Sequence, residues 1–200
     1  MQLHKLSIAT LGATLLLAAL VESASARSFS TSSQRFRATF TSFEITGPAA
    51  TVRCQLTFEG SFHARTFAKV AGSLLGYVDR STLGTCAEGT ATLLREALPW
   101  HIRYLSFANS LPLITSIRMN IVGLALRVRE PFVTCLATST AEAPITADFP
   151  RNIRFGRGNL TGVGLSGEPP TNCGFNWRIM GVSTNLTVPG TTTMITVTLI

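Results

Sequence analysis

The sequence predicts an all-β chain: an antiparallel β-sandwich with Greek-key-like connections, at most one short helix, and two disulfides. Three observations carry this. From Arg53 to Arg65 the residues alternate, with Leu56, Phe58 and Phe62 in register with Gly60 and Ala64, and Gln55, Thr57, Glu59, Ser61, His63 and Arg65 on the other side. That period of two belongs to a strand with one buried and one wet face. Segments rich in Thr, Val, Ile and Phe recur between clusters of Gly, Pro, Asn and Ser, the punctuation of many short strands. Four cysteines, Cys54, Cys86, Cys135 and Cys173, follow an export-type leader, which makes disulfides their default use.

The elements follow in chain order. Residues 1–26 read as a secretory signal peptide: Lys5 near the start, an apolar run from Leu6 to Val21, then Ala24-Ser25-Ala26 before Arg27. The run is shorter than the roughly 20 apolar residues that span a bilayer. Residues 27–200 form one domain. Besides the Arg53 segment, strands are predicted at Arg37–Thr46, Thr90–Leu94, Trp100–Ala108, Leu113–Val128, Phe132–Thr138, Asn159–Leu165, Phe175–Val188 and Thr191–Ile200. Within the Leu113 run, Leu113, Ile117, Met119 and Ile121 share one parity, and beyond Gly123 the apolar set moves to Leu124, Leu126 and Val128. Such a switch beside glycine marks a bulge where a strand changes sheets. The one helix is predicted between Phe67 and Val78, where Phe67, Val70, Ala71, Leu74, Leu75 and Val78 are helically spaced, although Gly72 and Gly76 each weaken it by about 1 kcal/mol relative to Ala. Pro144 to Gly158 reads as an irregular connection.

For the cysteines the expected pairing is Cys54–Cys86 with Cys135–Cys173, which closes the shortest uncrossed loops. Structural zinc is disfavoured because no close C-x2-4-C pair occurs. The formal net charge is +7, and of 17 basic residues only Lys5 and Lys69 are lysine. Arginine suits phosphate and carboxylate partners, yet these are scattered along the chain, as a GC-rich genome's codon bias would leave them. Arg151, Arg154 and Arg157 around Phe155 make the densest basic cluster, a weak footprint for an anionic polymer.

The only histidines after residue 26 lie in two matching tetrapeptides, Phe62-His63-Ala64-Arg65 and Trp100-His101-Ile102-Arg103. Both fall on the polar side of their alternation. Were the strands neighbours, they would share a patch. The binding set is therefore His63, Arg65, Trp100, His101, Arg103, Arg151, Arg154 and Arg157. Neither G-x-S-x-G nor H-E-x-x-H occurs, and oxidised cysteines leave no thiolate, so no catalytic residue, metal or cofactor is assigned. The reading is an exported envelope or extracellular binding or structural module. The alternatives are a hydrolase of an envelope polymer, with Glu59, His63 and His101 as acid–base groups, and an arginine-mediated binder of anionic polymer. An anionic envelope polymer or another secreted protein would be the partner.

Three blocks carry a resemblance: G-S-F-H-A-R-T-F-A-K-V-A-G-S-L-L-G-Y-V, A-L-P-W-H-I-R-Y-L-S-F-A-N-S-L-P-L-I-T-S-I-R and the closing T-M-I-T-V-T-L-I. Together they make the chain resemble an uncharacterised family of secreted, arginine-rich, β-rich bacterial proteins. The resemblance implies a signal peptide, a β-rich body and disulfides, and it implies no activity.

Overall fold

The computed structural model describes residues 28–46, 51–108, 116–129, 134–149, 158–164 and 177–200. The expected signal peptide, Cys173 and the cluster Arg151, Arg154 and Arg157 lie outside the described residues. The strands are β1 (Ser28–Thr31), β2 (Arg35–Thr46), β3 (Thr51–Phe62), β4 (Thr66–Ala68), β5 (Leu74–Ala87), β6 (Thr90–Leu93), β7 (Trp100–Ala108), β8 (Ser116–Val122), β9 (Ala125–Arg129), β10 (Thr134–Thr138), β11 (Ile145–Phe149), β12 (Gly158–Gly164), β13 (Trp177–Thr187) and β14 (Val197–Leu199). All pair antiparallel. Eleven form one sheet in the order β11-β8-β7-β5-β3-β2-β13-β12-β10-β9-β6, and three form a second, β14-β1-β4. At one end β6 also touches β5 and β3, and at the other β11 touches β12, so the large sheet curls back on itself around a single apolar core.

Strand β3 shows why the register holds. Val52, Cys54, Leu56, Phe58, Gly60 and Phe62 are all buried, in strict alternation with wetter neighbours. A one-residue slip would turn that whole row to solvent, at about 1.5–3 kcal/mol for each large apolar side chain. Aromatic rings dominate the interior. Phe58 meets Trp100 edge-on at 5.0 Å and Phe40 at 5.5 Å, while Phe29 of the small sheet reaches Phe67, Tyr104 and Phe107 and closes one end of the core.

The parity switch at Gly123 is present. Ile117, Met119 and Ile121 are buried on β8, and Leu124, Leu126 and Val128 after the kink. Strand β8 pairs with β7 and β11, whereas β9 pairs with β6 and β10. Gly123 makes the turn at φ 94°, a region a Cβ disfavours. A second switch lies in β2, where Phe36, Ala38 and Phe40 give way to Phe43 and Ile45 across a bulge.

Three expectations are corrected. The strand expected at Thr191–Ile200 is confined to β14, Val197–Leu199, because the chain first turns at Pro189-Gly190. The segment from Phe67 to Val78 is not a helix: it holds β4, a turn at Ala71-Gly72 and the start of β5. Its helical spacing does not correspond to one buried face, since Val70 and Leu74 are exposed while Leu75 and Val78 are buried. Pairing of β5 with both β3 and β7 satisfies its backbone in extended form. The only helical piece among the described residues is a 3-10 turn, Arg95–Ala97. The supposed irregular connection after Pro144 opens with β11, which pairs with β8 and buries Ile145 and Ala147.

The expected Cys54–Cys86 disulfide is formed, between directly opposed residues of β3 and β5. The second expected pair requires Cys173, outside the described residues. Cys135 is buried on β10, and no described cysteine is free.

Candidate functional site

The outer face of the large sheet is laid out by register. Arg35 on β2, Ser61 on β3, Tyr77 on β5, His101 on β7 and Val122 on β8 are successive cross-strand partners. The central step of this row needs two glycines. A Cβ on Gly60 would collide with the Tyr77 carbonyl oxygen and the Phe36 ring, and one on Gly76 with the Ser61 carbonyl oxygen. Their bare backbones let β3 and β5 close tightly on either side of the Ser61–Tyr77 pair.

His63 enters this face from the end of β3. Its backbone N–H donates to the Leu75 carbonyl at 2.8 Å, and its carbonyl accepts from Gln34 Nε2 at 2.9 Å. The imidazole then stands edge-on to the Tyr77 ring, with centroids 4.8 Å apart. From β7, the strand flanking β5 on its other edge, the His101 ring approaches Tyr77 at 5.2 Å, tilted by 58°. The two histidines therefore do come together, bracketing one phenol, and their centroids are separated by no more than about 10 Å. Contact is ring to ring: no hydrogen bond joins either imidazole to Tyr77 among the described residues. Aromatic packing of this kind fixes ring orientation and is worth about 0.5–1.5 kcal/mol per pair; proton transfer needs hydrogen-bond geometry instead.

The rest of the binding set divides. Arg103 is exposed on the same face of β7, opposite Leu74 and Asn120. Arg65 is exposed in the turn after His63, where its carbonyl accepts the Thr31 N–H at 2.8 Å. Trp100 leaves the surface group, being fully buried against Phe58. Its strand alternates, so a buried Trp100 is the counterpart of an outward His101. Among the described residues the indole Nε1 has no hydrogen-bond partner.

Glu59, the carboxylate of the hydrolase reading, sits one row away between Arg37 on β2 and Arg80 on β5. Its oxygens meet Arg37 Nε at 3.6 Å and Arg80 Nη1 at 3.4 Å. An open hollow of ≈ 220 Å³ above them is lined by Arg37, Thr57, Glu59, Arg80 and Thr82. It contains one carboxylate, already engaged by two guanidinium groups, where glycoside hydrolysis needs two acids facing each other. Inside the sheet, a cavity of ≈ 30 Å³ among Phe36, Phe40, Phe58, Phe62, Ile102, Leu186 and other apolar side chains has no polar lining, so it offers no reacting group. Elsewhere, Arg53 hydrogen-bonds Glu44 and pairs with Glu88, and its pKa is raised first by the Glu44 hydrogen bond. Burial raises that of the Tyr104 phenol. Neither group lies in a reactive constellation. Among the described residues, no three His, Cys, Asp or Glu side chains gather as a metal site.

Sequence reasoning missed Tyr77, the residue that joins the two histidines. No alternation marks it in the sequence, because the register shift between Leu74 and Gly76 breaks the period of β5 beside it. Compared with known protein families, curated proteins and solved structures, the chain matches none.

Proposed function

We propose that the chain is an exported β-sandwich, braced by disulfides, that works as an envelope or extracellular binding module through the outer face of β3, β5 and β7. One observation carries this reading: Tyr77 held ring to ring between His63 and His101 on a solvent-facing surface, with Arg65 and Arg103 beside it. Fixed rings rimmed by cations suit recognition. Catalysis would call for convergent acids and bases in hydrogen-bond reach, and the described face holds none. Export is supported by the Cys54–Cys86 bond, since disulfides persist in oxidising compartments. Among the described residues no helix is long and apolar enough to cross a membrane.

Incubating the protein with fractionated cell envelope at low and moderate salt tests the reading. Retention of the native protein, with a several-fold loss for Tyr77→Ala at unchanged melting temperature, is the expected result. Release of soluble fragments from the envelope, abolished by Glu59→Gln, would replace the binding reading with the hydrolase one.

A further inference from the structure

Next to Tyr77 the outer face changes character. Val70 is 59% exposed, Leu74 39% and Leu105 37%. Backbone hydrogen bonds hold these positions together: the Gly72 N–H donates to the Tyr104 carbonyl at 2.7 Å, and the Tyr104 N–H donates to the Ser73 carbonyl at 2.9 Å. Leu74 lies directly opposite Arg103. The neighbours Leu75 and Tyr104 are the ones that fill the core, so the exposed aliphatic groups are not needed for packing.

Two arginines and two histidines border this apolar ridge. Arg103 and His101 stand on β7, while His63 and Arg65 stand at the end of β3. None of the four forms an ion pair among the described residues, in contrast to Arg37, Arg53 and Arg80. Lys69 differs, with its ammonium over the Phe29 and Phe107 rings. The nearest acids of β3 and β5 are Glu59, held by two arginines, and exposed Asp79 at the bulge beside Tyr77.

From this juxtaposition we infer that Val70, Leu74 and Leu105, flanked by Arg65 and Arg103, dock the protein onto an anionic lipid surface. The inference rests on the binding reading above and names its partner. Aliphatic side chains enter the acyl boundary while guanidinium groups meet the headgroup phosphates. A soluble acidic polymer would satisfy the arginines but leave the three aliphatic groups in water, so the lipid surface accounts for more of the face.

The test is co-sedimentation of the protein with vesicles of phosphatidylcholine alone and of phosphatidylcholine mixed with phosphatidylglycerol, alongside the envelope-fraction assay. Binding is expected to the mixed vesicles. Arg103→Gln weakens it about fivefold, the effect of one cation near an anionic surface. The double variant Val70→Ser/Leu74→Ser weakens it about tenfold or more, and because both side chains are exposed its melting temperature stays near that of the native protein. Vesicle binding indifferent to the double variant overturns the inference in favour of a purely electrostatic contact. No vesicle binding with envelope retention intact overturns the lipid partner and leaves the binding module standing. Loss of both removes both readings.

Discussion

Phe62-His63-Ala64-Arg65 and Trp100-His101-Ile102-Arg103 share one pattern of residue types and occupy different backbones. In the second, the strand runs on: Trp100 and Ile102 face the core while His101 and Arg103 face out. In the first, the strand stops at Phe62, and His63, Ala64 and Arg65 are all exposed in the following turn. Only the leading aromatic has the same task in both, at 2% and 0% exposure. The histidines nevertheless reach the same phenol by unrelated routes. His101 arrives through direct register with Tyr77, and His63 through a backbone bond to Leu75. A short pattern thus reports which side chain is buried. Where its polar partner ends up is decided by the strand next door.

The largest expected effect separates the aromatic from the imidazole within each tetrapeptide. Phe62→Ala and Trp100→Ala should each cost about 3–5 kcal/mol of stability, as large buried rings do. His63→Ala and His101→Ala should stay within about 1 kcal/mol, since each loses one ring contact at or near the surface. Urea unfolding of the four variants checks this. Equal losses from ring and imidazole would erase the distinction between anchor and surface group.

A smaller effect concerns the step that aligns the two routes. Gly76→Ala places a methyl against the Ser61 carbonyl and forces β3 from β5, with an expected loss of about 1–3 kcal/mol. Gly72→Ala is a useful contrast, because nothing lies within 4 Å of a Cβ there and any loss arises from its φ of 81° alone. Thermal melts of the pair should differ in heat-induced unfolding and, for Gly76→Ala only, in the Tyr77 ring environment seen by near-ultraviolet circular dichroism.

Legibility followed the length of uninterrupted alternation. Strand β3 could be read because its alternation runs without a break from Val52 to Phe62, and the Gly123 kink because apolar residues flank it on both sides. The Cys54–Cys86 bond followed from closing the shorter loop. Strand β5 could not be read: its bulges at Leu74/Gly76 and beside Asp79 disturb the period, and the surviving apolar residues imitate a helix. Strand β11 is hidden by its flanks, since Pro144 before it and Pro150 after it are loop signals that outweigh its five residues. The site was half visible. Both histidines fall on the wet side of their alternation, but Tyr77 lies inside the segment that imitates a helix, and Trp100 belongs to the core by the parity of its own strand.

The smallest effect is one of pH. Burial holds the Tyr104 phenol above its ordinary value of 10.0 by favouring the neutral form. Stability from that neutral phenol is complete below pH 10.0 and falls as pH rises past it, because the unfolded chain releases a proton that the fold retains. Tyr104→Phe should therefore flatten the decline in melting temperature between about pH 9 and about pH 11. The chain's only other tyrosine is Tyr77, whose replacement by Phe serves as the control at a partly exposed position.

The claim on which the functional reading turns is that one phenol joins two histidines brought from separate strands. Nuclear Overhauser contacts from the Tyr77 ring protons measure it directly, with His63→Ala and His101→Ala used for assignment. Cross-peaks from Tyr77 to both imidazoles are expected, each removed only by its own substitution. Contacts to one histidine or to neither would contradict it.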